Sequence, residues 1–252
     1  MAGAIGAAMA LTACDSVSEP DRFVEAEIVP QRAVLIEEFT GQDCQNCPDG
    51  HQAIKDILAT LGDSVVPVSI HASNLAYGGV LGLKTDVGDD YYQRAGSPAL
   101  PSAVMDMQTQ ALQIKQWASA INNLIMQPTP FTVRAKAAPS ADGKSFDIEV
   151  AYSAGEDFTG NLIVWVVENG IIRPQLNGKE YIPQYEHNHV FRAVATPVWG
   201  DAVTLKAHDP QYASYSVPIE AMWNKDNLYA VAFLYNNGGV VQVTHTDESA
   251  SH

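Results

Sequence analysis

The sequence predicts two folded parts of different class, an α/β part followed by an all-β part. In the first part, short apolar runs alternate with helical patterns, as in a sheet with parallel neighbouring strands. In the second part, roughly seven or eight short apolar runs follow one another with turn residues between them. A Cys-x-x-Cys pair, Cys44 and Cys47, separates the first apolar run from the first helical pattern. This pair is the strongest indication of chemistry in the chain.

The composition bounds the class of protein and excludes some partners. The chain has 252 residues, of which 46% are hydrophobic and 17% charged, so there is room for two modest domains that each bury a core. The formal net charge is −15, which gives no electrostatic basis for binding nucleic acid or an anionic membrane surface. We therefore expect no nucleic-acid partner.

The first 31 residues predict export and a lipid anchor. Residues 1–13 are small and apolar, too short to span a bilayer, and resemble the apolar core of a secretory signal, although no Lys or Arg precedes them. Residues 11–14 (LTAC) resemble a bacterial lipobox, which predicts a lipid on Cys14 and accounts for the odd third cysteine. The alternative is an apolar N-terminus with an incidental cysteine. Residues 14–31 are acidic with two prolines and predict a tether.

The α/β part begins with a predicted strand, helix and strand. Residues 33–40 are mostly apolar and predict a buried strand, although carboxylates occupy its second half. Apolar residues recur at helical spacing over residues 50–61, after Pro48 in the first turn and before a stop at Gly62. Residues 65–71 predict the next strand. A strand–helix–strand unit implies parallel neighbours joined by a right-handed crossover.

Three further elements complete the α/β part after a glycine-rich loop. The patterns predict a helix over residues 86–95, a strand over 102–106 that follows Leu100-Pro101, and a helix over 113–126. The second half of the chain then changes character at Pro128.

The order of these elements resembles the thioredoxin fold over residues 32–127. Cys44 and Cys47 fall where that family has its redox pair, and Pro101 falls where the family has a cis-proline facing the disulfide. Glu38, on the strand before the pair, falls where the family places a buried acid. Two departures are Asp43, where an aromatic residue is common, and the Gln-Asn dipeptide between the cysteines.

A narrower resemblance concerns residues 37–42 (EEFTGQ) leading into Cys-x-x-Cys-Pro, with residues 68–72 and 188–192 as later motifs. These segments resemble the 28-kDa outer-membrane lipoprotein family of Bacteroidota. The resemblance implies a lipidated envelope protein in the outer membrane, with a thioredoxin-like domain and a β-rich partner domain.

The thioredoxin resemblance gives the residues roles in thiol–disulfide exchange on exported proteins. Cys44, nearer the helix N-terminus and solvent, would attack as a thiolate, and Cys47 would resolve the mixed disulfide. Glu38 would relay a proton to or from Cys47 if burial raises its pKa. Pro101, with Leu100, would align the incoming peptide. Asp43 disfavours the Cys44 thiolate, so we expect a reductase or isomerase-like enzyme that needs no cofactor.

Two other interpretations of the pair stay open at this point. It can be a structural disulfide in an oxidising compartment, although so short a loop stabilises a fold weakly. It can also be half of a metal site, although no Cys or His pair at ligand spacing lies nearby. In the first case the protein would be a non-catalytic envelope accessory protein. Exposure of Cys44 and the isomer of the Leu100–Pro101 bond discriminate between exchange and the accessory role.

Histidines supply the remaining candidate positions. His71 ends the second strand, at the edge where ligands of open α/β sheets collect, so it is a candidate substrate-binding residue together with Leu100. A hydrogen-bonded histidine that closes the strand is the simpler alternative. His187 and His189 alternate beside Glu186, which predicts a shared face and a two-ligand metal site or, more simply, a polar face.

The all-β part, residues 128–248, predicts an immunoglobulin-like β-sandwich without a disulfide. The Asp142-Gly143 dipeptide is a strong hairpin signal. We expect this part to be an interaction module, because no catalytic triad or phosphate loop can be identified in it. The predicted strands cover residues 131–137, 145–152, 162–167, 190–194, 202–207, 214–217, 228–235 and 240–244.

Overall fold

The computed structural model describes residues 31–108 and 110–246, a mixed α/β structure with many strands and few helices. The predicted signal, the tether up to residue 30 and Cys14 lie outside the described residues. The helices are α1 Cys47–Leu61, α2 Asp86–Arg94 and α3 Ile114–Ile125. The strands are β1 Val34–Thr40, β2 Val65–His71, β3 Ser102–Met105, β4 Phe131–Pro139, β5 Ser145–Ala154, β6 Phe158–Glu168, β7 Ile171–Asn177, β8 Glu180–His187, β9 Val190–Val194, β10 Asp201–Leu205, β11 Gln211–Pro218, β12 Leu228–Asn236 and β13 Gly239–His245.

The main sheet contains strands from both halves of the chain. Its order is β13-β12-β6-β9-β2-β1-β3, and β10 pairs with β6. The pairing of β1 with β2 is parallel, as the strand–helix–strand pattern predicted, and β3 runs antiparallel to β1. The pairing of Ser69 with Val190 joins β2 to β9, so hydrogen bonding crosses the predicted boundary at residue 128. The division into two domains stays a prediction.

From Leu162 to Val167, strand β6 is buried on both faces, which explains the unbroken apolar sequence of this part of the strand. One face packs against the separate sheet β11-β5-β4, and the other contributes, with residues of β1 and β2 from the same sheet, to a core that also contains Tyr91 of α2. The residues on the first face are Leu162, Val164 and Val166, and those on the second are Ile163, Trp165 and Val167. One strand thus contributes to two cores.

Alternation along β1 sends the adjacent carboxylates of Glu37 and Glu38 to opposite faces of the sheet. Glu37 faces α2, where Arg94 binds it. Glu38 shares its face with Val34 and Ile36, which pack in the core formed with α1 and α3. The buried acid is therefore on the side of the helix that begins at Cys47.

Strands β7 and β8 form a two-stranded hairpin that the sequence patterns did not predict. The hairpin turns between Asn177 and Glu180. It lies against the Cys-x-x-Cys loop, where two backbone hydrogen bonds join the hairpin to that loop. Its position determines the environment of the disulfide.

Candidate functional site

Cys44 and Cys47 form a disulfide with their Cα atoms 5.4 Å apart. Cys47 is the first residue of α1, and Cys44 lies in the turn before it, where its carbonyl accepts a hydrogen bond from the Cys47 amide at 3.2 Å. Pro48 follows in the first helical turn, where its missing N–H leaves no donor unsatisfied.

The disulfide is covered in this conformation. Only 4% of Cys44 is exposed and Cys47 is fully buried. Cys44 is the more exposed of the two, as predicted, but so small an exposed fraction leaves little access for an incoming thiolate. This corrects the expectation of a solvent-reachable Cys44, and the reason is the β7–β8 hairpin.

Backbone hydrogen bonds join the β7–β8 hairpin to the Cys-x-x-Cys loop. The amide of Leu176 donates to the carbonyl of Gln42, and the amide of Gly178 donates to the carbonyl of Gln45, each at 2.8 Å. The two bonds flank Cys44 in sequence. The hairpin can uncover Cys44 only by breaking them.

The buried side chain of Gln175, on β7, strengthens this docking. Its Nε2 lies within hydrogen-bond distance of the carbonyls of Gly41 and Cys44, at 3.2 and 3.1 Å, and of its neighbour Leu176, so its two hydrogens are shared among three acceptors. Gln175 is fully buried, and its Oε1 has no hydrogen-bond partner among the described residues. Gln175 therefore links the backbone of the Cys-x-x-Cys loop directly to the hairpin.

Glu38 is a fully buried carboxylic acid against the first turns of α1. Its Oε2 accepts a hydrogen bond from Ser69 Oγ at 2.6 Å, whereas Oε1 has no hydrogen-bond partner among the described residues. Burial raises the pKa of Glu38 to about 7, against the smaller lowering effect of Ser69. Glu38 can therefore bind and release a proton near neutral pH.

The raised pKa of Glu38 predicts a pH dependence of stability. The folded protein holds this proton up to about pH 7, whereas the unfolded chain loses it near pH 4.5, so its stabilising contribution is complete below pH 4.5 and is lost as pH rises through 7. As pH rises from 4.5 to 8, the free energy of unfolding of Glu38→Gln should increase by about 3 kcal/mol relative to that of the wild type, because the variant lacks this titrating carboxyl. Urea denaturation at both pH values measures this, and parallel profiles for the two proteins would contradict the raised pKa.

Pro101 and Gly50 complete the surroundings of Glu38. The Leu100–Pro101 bond is cis. A Cβ atom at Gly50, on α1, would lie 2.7 Å from Glu38 Oε1 and 3.2 Å from Pro101 Cβ, so the helix approaches β1 closely only because residue 50 is glycine. The structure thus brings Glu38 and Pro101 together under α1, while Leu100 packs partly buried on the opposite face with the α2 core.

Three histidines lie between α1, β2 and β8: His71 and His187 are buried, and His51 is half-buried. The ring centroids of His71 and His187 are 5.2 Å apart, and those of His187 and His51 are 6.1 Å apart. Neither ring nitrogen of His71 or His187 makes a hydrogen bond of good geometry among the described residues. Burial lowers the pKa of all three, to about 4 for His51 and about 3 for His187. They are neutral at physiological pH.

These positions correct two expectations about histidine. His71 is only 2% exposed, so in this conformation it lies inside the fold and not at an open edge of the sheet, and its role in substrate binding stays a prediction. His187 ends β8 and packs on His71, whereas Nδ1 of His189 lies 3.0 Å from the hydroxyl of Tyr229. Within the described ranges, no group of three or more His, Cys, Asp or Glu residues could hold a metal ion.

Sequence reasoning missed Gln175 and His51. His51 stands four residues after Cys47, a spacing that places both on one face of α1, and this signal was available. Gln175 could have been found only through the Asn177-Gly178 dipeptide, which marks the hairpin.

Comparisons with known proteins agree with this architecture. The structure resembles HBP35 of Porphyromonas gingivalis with a TM-score of 0.66 at 18% identity, over 88% of this chain and 78% of that one. It resembles protein AGR_C_4864 of Agrobacterium tumefaciens with a TM-score of 0.57 at 15% identity, over 88% and 97% of the two chains. At these identities the likeness shows the fold alone.

The sequence itself supplies the family. No curated protein sequence matches the chain, and none of the described helices is long and apolar enough to cross a membrane. The family described as "Outer membrane protein Omp28" matches residues 88–249, well over half of the chain. This chain belongs to the Omp28 family of outer membrane proteins, as the resemblance of its motifs predicted.

Proposed function

We propose that this protein is held in the outer membrane by a lipid on Cys14 and exchanges disulfides with exported proteins through Cys44 and Cys47. In this proposal residues 32–127 form a thioredoxin-like unit, supported by the order β2-β1-β3 and by the helix that begins at Cys47. Residues 128–248 form an immunoglobulin-like sandwich, supported by the packing of β4, β5 and β11 on β6 and β12.

The observation that carries the exchange proposal is Glu38. A disulfide that only staples a helix start has no use for a buried acid, and burying a carboxyl with an unpartnered oxygen costs free energy. A carboxyl that titrates near neutrality is suited to general acid–base catalysis at physiological pH.

In the reducing direction, a thiol donor first reduces the Cys44–Cys47 disulfide. The Cys44 thiolate then attacks a client disulfide, and one client sulfur leaves as a thiolate. Cys47 then gives its proton to the Glu38 carboxylate, and the Cys47 thiolate attacks Cys44. The bond between Cys44 and the client breaks, the bond between Cys44 and Cys47 forms, and the second client sulfur leaves as a thiolate. The client gains two electrons and the cysteine pair loses them. Both client thiolates take protons from water.

The low exposure of Cys44 favours a second candidate function. With 4% of Cys44 exposed and a hairpin bonded over the loop, the disulfide can serve as a permanent brace for the β7–β8 hairpin. The protein would then be a non-catalytic accessory protein of the envelope, and the sandwich would bind its partner.

Trapping of mixed disulfides separates these two functions. Cys47→Ala leaves Cys44 able to attack but removes the resolving thiol, so the full chain expressed in its own envelope should accumulate disulfide-linked adducts on non-reducing gels. Cys44→Ala is the matched control, because the remaining Cys47 is fully buried and should form none. If neither variant forms adducts, the result would favour the second function, in which the disulfide is a permanent brace.

The hairpin should also limit the reactivity of the wild-type disulfide. Gln175→Ala removes the side-chain bonds to Gly41 and Cys44, so dithiothreitol should reduce the disulfide about tenfold faster, a factor that corresponds to about 1.4 kcal/mol of docking energy. Lys179→Ala, in the hairpin turn outside this network, should leave the rate unchanged. Equal rates for the two variants would show that the hairpin does not gate the disulfide.

A further inference from the structure

A cleft of about 600 Å³ opens between α1 and the segment that joins β8 to β9. Two residues of its lining, His51 and Ser69, are neighbours of Glu38. The side chains of its wall are mostly polar, and they include His51, Gln52, Lys55, Ser69, Tyr185 and Glu186.

His51 stands between this cleft and Glu38. Its Nδ1 lies 2.8 Å from the Tyr185 hydroxyl and its Nε2 lies 3.0 Å from the Thr40 hydroxyl. The same Nε2 is 3.8 Å from Glu38 Oε1, the carboxyl oxygen that has no hydrogen-bond partner in the described part of the chain. That gap is longer than a hydrogen bond, and an approach of about 1 Å or one water closes it.

The side chain of His51 is 18% exposed, whereas that of Glu38 is fully buried. The two nitrogens of His51 therefore face a buried acid on one side and, through Tyr185, the cleft on the other.

We propose that His51, together with Tyr185, passes protons between Glu38 and the water of the cleft. The proposal rests on the exchange function proposed above and makes His51 a positioning residue that acts through Glu38. After Glu38 takes the proton of Cys47, His51 Nε2 accepts that proton while Nδ1 releases another through Tyr185 to water. The imidazole is neutral before and after the transfer.

The surroundings of His51 favour such a neutral carrier. Its neighbours are the uncharged His187 and Tyr185 on β8, the buried Glu38 on β1, and Lys55 and Glu186 on the cleft wall. Burial lowers the pKa of His51 to about 4, so the ring does not remain a stable cation that would form a permanent ion pair with Glu38.

The structure offers one competing route. Ser69 lines the cleft and its hydroxyl donates to Glu38 Oε2 at 2.6 Å, so a proton could also leave through this hydroxyl. The experiment must therefore distinguish His51 from Ser69.

The test follows protonation of Glu38 directly, in the oxidised full-length protein, so that it does not depend on any exchange activity. After a pH jump from 8 to 5.5, the infrared band of the protonated carboxyl reports the rate at which Glu38 gains its proton, and Glu38→Gln identifies the band. His51→Ala and the better-packed His51→Gln should each slow this rate by about tenfold. Imidazole added to His51→Ala should restore it, because the cleft and the vacated side chain admit the free ring.

Gln52→Ala is the matched control, since Gln52 shares the cleft wall but, within the described part of the chain, its side chain bonds to Asp56 in its own helix and not to His51 or Glu38. Its rate should equal that of wild type. Unchanged rates in both His51 variants, slowing without rescue by imidazole, or slowing confined to Ser69→Ala would each overturn the proposal. If the rates behave as expected but Cys47→Ala traps no client, the proton route stands and the exchange function fails.

Discussion

Replacing Arg94 with methionine is expected to lower the free energy of unfolding by about 3 kcal/mol at pH 8, because it leaves a buried carboxylate without its cation. The Nη2 of Arg94 donates to both carboxylate oxygens of Glu37, at 2.6 and 2.7 Å, and the side chain of Glu37 is fully buried. Methionine keeps much of the aliphatic packing of arginine, so the loss comes chiefly from the charge.

The loss of stability in Arg94→Met should depend on pH, and the burial of Glu37 determines the direction of that dependence. Burial raises the pKa of Glu37 and Arg94 opposes this, so the pKa rises further in the variant. A raised folded-state pKa contributes stability below the unfolded value near 4.5, and that stability disappears as pH rises through the folded value. Arg94→Met should therefore be least harmful near pH 4.5 and most harmful at pH 8.

Urea denaturation at both pH values measures this effect, and Glu37→Gln combined with Arg94→Met should recover most of the loss at pH 8. Lys206→Met is the matched control: its Nζ is 2.7 Å from Asp157, but the two side chains are 72% and 61% exposed. This exposed pair should leave the urea midpoint unchanged. A loss in Arg94→Met that is the same at both pH values would contradict the explanation.

The sequence predicted the local elements of the α/β part well, because there each signal is local. The apolar run of β1, the Cys-x-x-Cys turn and the helical spacing of α1 follow one another, and the parallel pairing of β1 with β2 is confirmed. Glu38 was predicted as a buried acid and is fully buried, with a pKa raised to about 7. For both features, the informative residues lie within about one helix length of each other.

The hairpin β7–β8 was not predicted because its local signals conflict. Asn177-Gly178 between two apolar segments favours a hairpin, but Pro174 and Pro183 interrupt those segments and argue against strands. The structure accommodates the prolines in a two-stranded sheet, with a register shift between Arg173 and Gln175 beside the first of them. The local sequence pattern alone could not decide whether a hairpin forms here.

Exposure of Cys44 could not be predicted either, for a different reason. Its cover comes from Gln175 and Leu176, which lie about 130 residues further along the chain. The sequence pattern around Cys44 contains no information about these distant residues. Long-range contacts of this kind also place β9 beside β2, so the main sheet crosses the boundary that the change of composition at Pro128 suggested.

Replacing Trp165 with alanine is expected to destabilise the protein by about 4 kcal/mol, because the side chain is fully buried and its loss leaves a large cavity. The ring of Trp165 packs at centroid distances of 5.0 Å from Tyr91, 5.5 Å from Phe191 and 4.9 Å from Phe233. Its Nε1 also donates to the hydroxyl of Tyr91 at 2.9 Å. Trp165→Phe should lose less, since a ring still fills the site.

Trp199→Ala is the matched control, because this tryptophan also contacts Tyr91, at 5.3 Å, but is 44% exposed. It should cost about 1 kcal/mol or less. Trp165 belongs to β6, yet the core it fills contains Leu35 and Phe39 of β1. In Trp165→Ala, the unfolding transition followed by far-ultraviolet circular dichroism and the rate of proteolysis in the β1–α1 region should therefore change together. If proteolysis of β1–α1 is unchanged while the dichroism transition moves, the two halves fold as separate domains, and the shared core does not couple them.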